Sequence, residues 1–210
     1  MAKNKKPIYK RVWFIAIVLL VIIGVVKSIG NDDSATVNSD STGKEVTQNQ
    51  STKEKEEDNV PTEHKNALKK AKSYSSTMSM SKAGIYNQLI SENGEKFTEE
   101  AAKYAMDNID ANWKENALKK AKSYSSTMNM SKVGVYDQLI SEHGEKFTAE
   151  EAQYAVDNVE ADWKENALKK AQSYQKTMSM SPSAIYDQLI SQHGEKFTAE
   201  EAQYAIDNLK

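Results

Sequence analysis

Apolar residues follow two unlike patterns along this chain. Residues 12–26 form one unbroken run, VWFIAIVLLVIIGVV, without a charge. From residue 66 onward, apolar residues instead recur at spacings of three and four, which marks one face of a helix. Between the two patterns, residues 31–63 hold almost nothing apolar and are rich in Ser, Thr, Asn, Gln and charge. A segment of that kind cannot bury enough surface to offset its ordering entropy. The pattern predicts an all-α chain: an N-terminal transmembrane helix, a disordered polar linker, then helical units.

Those units repeat. A shift of 50 residues brings Asn66, Asn116 and Asn166 into register, and the three copies share NALKKA, SY, TM, MS, QLIS, GEKFT, YA and DN in one order. Each copy divides into three predicted helices. In copy one, the first spans about Asn66 to Thr77, with Leu68, Ala71, Tyr74 and Met78 as its stripe. The second starts at Ser81, a good N-cap, and buries Ile85, Tyr86, Leu89 and Ile90. Ser131 and Ser181 are its counterparts, and Pro182 stands where a first-turn proline costs no hydrogen bond. Gly94, Gly144 and Gly194 are expected to end these helices in the left-handed conformation. Thr98, Thr148 and Thr198 then cap the third helix, with Glu151 and Glu201 completing capping boxes. Ala102, Ala105, Met106 and Ile109 point inward from it.

From Thr98 to Thr127, and from Thr148 to Thr177, there is no Gly or Pro. The third helix of one copy is therefore expected to run into the first helix of the next. Each such rod would be about 45 Å long, leaving about seven physical helices. Trp113 and Trp163 sit on these rods and are expected to pack at the junctions. The predicted organisation is a basic segment at 1–11, a membrane span at 12–29, a linker at 30–63, and repeats at 64–112, 113–162 and 163–210.

Charge sets the orientation. Residues 1–27 carry six Lys/Arg and no acid, and Asp32 and Asp33 follow the apolar run. Positive charge on the N-terminal flank places that end in the cytoplasm and the repeats outside a single-pass cell membrane. The run Val12–Val26, extended to Ile29 around Lys27, meets the lower length limit of a spanning helix. A cleaved signal peptide, with Ser28 and Gly30 near the cut, is the alternative. The linker spans about 30 Å root-mean-square, which keeps the repeats near the outer face.

Little points to catalysis. There is no Cys, no Gly-rich phosphate loop and no nucleophile–base order, so no enzyme and no cofactor are expected. His64, His143 and His193 lack the i, i+4 spacing of a metal pair. Asp107, Asp157 and Asp207 stand alone on their helices, short of the oxygen ligands a cation needs. No metal is expected. Nucleic acid is excluded by acidic helix starts at Glu99/Glu100, Glu150/Glu151 and Glu200/Glu201 and by the external location. What remains is protein binding. Tyr86, Tyr136 and Tyr186, Tyr104, Tyr154 and Tyr204, and the three aspartates recur in every copy. Half-exposed aromatics presented three times would give avidity. The paired methionines, such as Met78 and Met80, are read as filling gaps in a small core.

The stretch Ser81–Asn108, repeated at Ser131–Asn158 and, with Pro182 and Ala184 departing, at Ser181–Asn208, resembles the repeat of the Ltp family, the host cell surface-exposed lipoproteins of Gram-positive bacteria and their phages. The resemblance covers most of residues 66–210. It implies helix-turn-helix-like units displayed outside the membrane. For a prophage-encoded member it implies superinfection exclusion, in which DNA injection by a later phage is blocked through contact with the incoming tape measure protein. One departure stands out: the family's lipid-bearing Cys is absent, so Val12–Val26 must itself anchor the chain. A structural or adhesive envelope protein, binding wall polymer or a host surface, is the competing expectation.

Overall fold

The structure, a computed structural model, describes residues 59–210. The segment 1–11, the anchor Val12–Val26 and most of the linker lie outside the described residues. No helix among the described residues is long and apolar enough to cross a membrane.

Among those residues the chain forms nine α-helices, three per repeat: α1 (Thr62–Met78), α2 (Lys82–Ile90), α3 (Glu99–Asn108), α4 (Trp113–Met128), α5 (Lys132–Ile140), α6 (Ala149–Asn158), α7 (Trp163–Met178), α8 (Pro182–Ile190) and α9 (Ala199–Asp207). The first begins at Thr62, behind Pro61. The expected caps form: Ser81, Ser131 and Ser181 each accept an amide hydrogen bond three residues on. Thr98, Thr148 and Thr198 do the same for α3, α6 and α9, with full capping boxes at Thr148–Glu151 and Thr198–Glu201. Copy one has Ala101 where the others have Glu, and Glu63 of α1 supplies the missing carboxylate, accepting from the Thr98 amide at 2.9 Å.

Each repeat closes its own core. In the first, Ala67 and Ala71 of α1 face Ala101, Ala102, Ala105 and Met106 of α3, and Ile85 and Leu89 of α2 wedge across them. The alanines let the first and third helices of a repeat approach closely, and the bulk comes from the short middle helix. Phe147 and Phe197, which the periodic reading passed over, are 4% exposed and complete the second and third cores. The stripe expected on α1 is shifted: Ala67, Ala71 and Ser75 are buried, and Met78 is 51% exposed.

Two sequence expectations are overturned. The continuous rods do not exist. α3 stops at Asn108, Ile109 is extended (φ −78°, ψ 127°), and α4 starts afresh at Trp113 behind Asn112. The Asn112 side chain accepts from the Glu115 amide at 3.1 Å, and Asp162 accepts from the Glu165 amide at 3.0 Å. A short polar side chain that satisfies an amide of the next turn offers the backbone an alternative to continuing the helix. Breaking the rod also turns Ile109 and Val159 onto the cores of their own repeats.

The glycines are the second correction. α2 ends at an extended Ser91, and the left-handed residue after it is Lys96 (φ 57°), not Gly94. Gly94 is required for a different reason. A Cβ there would lie 2.3 Å from the Gln88 carbonyl oxygen, and the same contact recurs at Gly144 and Gly194. A glycine lets the turn fold back so that Glu95 donates its amide to Gln88 and Phe97 donates to Leu89. The helix ends that do finish left-handed are those of α1, α4 and α7, at Ser79, Asn129 and Ser179.

Candidate functional site

Tyr104, Tyr154 and Tyr204 occupy the same place on α3, α6 and α9, and each lies under a side chain from the first helix of its own repeat. Lys114 sits over the Tyr154 ring, 5.7 Å from its centroid, and Lys164 over Tyr204 at 5.9 Å. In copy one the ring of His64 stacks on Tyr104, with centroids 5.0 Å apart. Each lysine also pairs with a first-turn glutamate, Lys114 with Glu150 and Lys164 with Glu200, both at 2.7 Å. Those hydrogen bonds raise the lysine pKa values and lower the glutamate ones. The result is an aromatic surface strip that recurs in all three repeats and carries a paired cation and carboxylate in the second and third. An open hollow lined by Asn112, Trp113, Lys114, Thr148 and Glu150 adjoins the strip in copy two. Tyr154 and Tyr204 remain 37% exposed.

The other nominated residues are distributed unevenly. Asp107, Asp157 and Asp207 lie one turn past these tyrosines on an exposed face. Asp157 accepts from Gln153 at 2.7 Å and from Lys132 at 2.9 Å, and those bonds hold its carboxyl below the usual range. Asp207 keeps only the glutamine partner among the described residues, because Pro182 replaces the lysine. Asn108, Asn158 and Asn208 turn back to the carbonyls of Tyr104, Tyr154 and Tyr204 at 2.8 Å, and so end the helices. Tyr86, Tyr136 and Tyr186 are half-buried against the cores from the middle helices and do not share the strip's helix. Trp113 packs on the first core and Trp163 on the second. Among the described residues no group of acids and histidines is placed to hold a metal ion.

A second constellation went unread in the sequence. Glu95 receives the hydroxyl of Tyr74 and pairs with Lys70 at 3.0 Å. Glu145 does the same with Tyr124 and Lys120, and Glu195 with Tyr174 and Lys170. Burial, reinforced by the carboxylate, pushes the three phenols up in pKa. The Tyr74 hydrogen bond in turn holds Glu95 low. Each clamp fixes the turn after the middle helix, and in the second and third repeats the backbone of that turn makes the joint to the previous repeat. Ser81 donates its hydroxyl to the Glu145 carbonyl and Ser131 to that of Glu195, both at 2.5 Å. Asn116 donates to Ser75 Oγ at 2.9 Å and to the Met80 carbonyl at 3.0 Å, and Asn166 donates to the Met130 carbonyl at 3.1 Å. Lys196 pairs with Asp137 across the second joint.

The family described as host cell surface-exposed lipoprotein matches the chain three times, over residues 62–109, 112–159 and 162–209. No curated protein matches. Among solved structures, Ltp, a superinfection exclusion protein from the Streptococcus thermophilus temperate phage TP-J34, is 44% identical over 48% of this chain and 99% of its own, with a TM-score of 0.44.

Proposed function

Since the chain belongs to the host cell surface-exposed lipoprotein family, we propose that it is a membrane-tethered superinfection-exclusion protein that captures a protein of an incoming phage and stops DNA injection. The family is a surface-exposed one and not a catalytic one, and the chain is not an enzyme. The observation that carries the proposal is repetition outside closed cores: what the three units share on their surface is a covered tyrosine face at Tyr104, Tyr154 and Tyr204, flanked in the second and third units by a lysine–glutamate pair. Such a strip suits a helix that carries both charges and an apolar edge, the kind of partner the resemblance implies in a tape measure protein. Individually weak contacts made three times gain through effective concentration. Tyr86, Tyr136 and Tyr186, with the three aspartates, would border the contact. Val12–Val26 serves as the anchor in place of a lipid, with the linker holding the array near the membrane where injected DNA arrives.

The test is to express the chain in a sensitive Gram-positive host and challenge it with phage. Normal adsorption with blocked DNA entry is the expected result. Replacing Tyr104, Tyr154 and Tyr204 together by Ala should restore plaques while the protein stays at the surface. Unchanged plaque numbers across a broad phage panel would overturn the reading.

A further inference from the structure

The two joints share two contacts, the serine hydroxyl on a Glu145 or Glu195 carbonyl and the asparagine amide on a Met80 or Met130 carbonyl, and the outer faces of the array depart from the joint sequence where it would be needed. On the forward side, Ser75 and Ser125 are buried at 8% and 2% exposure and are followed by Ser76 and Ser126. The third copy has Gln175 and Lys176 there. Lys82-Ala83-Gly84 and Lys132-Val133-Gly134 become Pro182-Ser183-Ala184. In the first two copies the glycine borders the next repeat, but a Cβ there would make only ordinary contact with it, 3.6 Å from the Glu145 carbonyl at Gly84 and 3.7 Å from that of Glu195 at Gly134, so the block falls on the other changed side chains. Ser81 and Ser131 are each 1% exposed, whereas Ser181 is exposed. On the opposite side, the position filled by Trp113 and Trp163, which pack on the preceding core, is Glu63 in copy one and serves as the extra cap for Thr98.

We infer that the first and third repeats are end caps, and that the outward face of repeat 3 blocks head-to-tail addition of a second copy of this chain. Head-to-tail contacts that do not close produce open filaments, and a stacked-repeat protein stays soluble only when its terminal units carry polar outer faces. The rest of the joint is retained. Asn66 stands exposed where Asn116 and Asn166 are buried. Asp187 and Lys96 occupy the positions of Asp137 and Lys196, which pair across the second joint. A second copy is therefore excluded by a few side chains, most of them on the outward face of repeat 3 with Glu63 on the other, while Asn66, Lys96 and Asp187 keep the rest of the joint.

The experiment refaces repeat 3 with the residues of repeat 2: Gln175→Ser, Lys176→Ser, Ser179→Asn, Pro182→Lys, Ser183→Val and Ala184→Gly, together with Glu63→Trp, in the full chain. Mass is read by sedimentation in a non-denaturing detergent over a hundredfold concentration range. The natural chain should run as one protomer. The refaced chain should rise to dimers and longer species with concentration, and adding Asn66→Ala should return it to one protomer. Association through the N-terminal apolar run would ignore Asn66→Ala, which separates it from joint formation. A lighter variant, Gln175→Ser with Lys176→Ser, keeps the Ser181–Pro182 helix start and gives the same readout if the full set loses ellipticity. A refaced chain of natural helix content that stays a protomer overturns the inference. So does a natural chain that already associates and is dispersed by Asn66→Ala.

Discussion

One substitution made at three equivalent positions separates the joint from the repeat. Asn116→Ala removes an amide that is 5% exposed and spans two repeats. It deletes two hydrogen bonds, to Ser75 Oγ at 2.9 Å and the Met80 carbonyl at 3.0 Å. Each contributes about 1 kcal/mol net, and leaving either acceptor dry costs about 1–3 kcal/mol. Because Ser75 can rotate its hydroxyl elsewhere, the loss should total about 2–4 kcal/mol. Asn166→Ala deletes one bond, to Met130 at 3.1 Å, and should cost roughly half as much. Asn66 has the same helical context but is exposed, and Asn66→Ala should stay within about 0.5 kcal/mol. The assay is urea denaturation followed by ellipticity. With a slope of about 2 kcal/mol per molar, Asn116→Ala moves the midpoint down by about 1–2 M. The loss falls on a nearest-neighbour term, so the transition should also broaden as repeat 1 separates from the other two. Equal losses at all three positions would refute the reasoning, because they would show that the asparagine acts within its own helix and not across the joint.

Three further outcomes are expected. Gly144→Ala places a Cβ 2.5 Å from the Gln138 carbonyl and should cost about 1–3 kcal/mol in thermal unfolding, whereas Gly84→Ala, at a position where repeat 3 already has Ala184, should cost less than half of that. Alkali should unfold the array through its clamps. Tyr74, Tyr124 and Tyr174 have folded pKa values raised above the ordinary 10.0. The stability they contribute is complete below pH 10.0 and is lost as pH rises through the folded values. Tyr124→Phe should weaken this dependence in urea midpoints measured across that range, and should cost about 1 kcal/mol at neutral pH. Finally, Asn112→Ala removes the cap of α4 and should cost about 1 kcal/mol. A gain in helix content from this variant would instead mean that the rod is held off by the cap alone.

The caps and the alternating core were legible because each rests on near neighbours. Ser81, Thr148 and Thr198 announce themselves by residue type and by the amide three positions on. The joints were misread by weighing only breakers. The absence of Gly and Pro between Thr98 and Thr127 outweighed Asn112 and Asp162, although Glu115 and Glu165 complete the start signature there. The clamps at Glu95, Glu145 and Glu195 were invisible to periodicity, since their partners lie 21 and 25 residues away. The surface strip was half legible. Tyr104, Tyr154 and Tyr204 were nominated, but the lysines above two of them were not, because only the packing of first helix on third brings them together. Gly94 shows that a residue type can be recognised as necessary while its reason is misjudged.

Ser81 and Ser131 reach their acceptors across the same 64 residues of chain. The register of each joint is therefore a property of the unit and independent of its ordinal place. At the level of the gene, unequal recombination between adjacent copies adds or deletes fifty codons in frame and leaves every surviving joint with its serine–carbonyl contact. Unit number can drift between lineages without a new interface having to evolve, provided that the first and last units stay where they are.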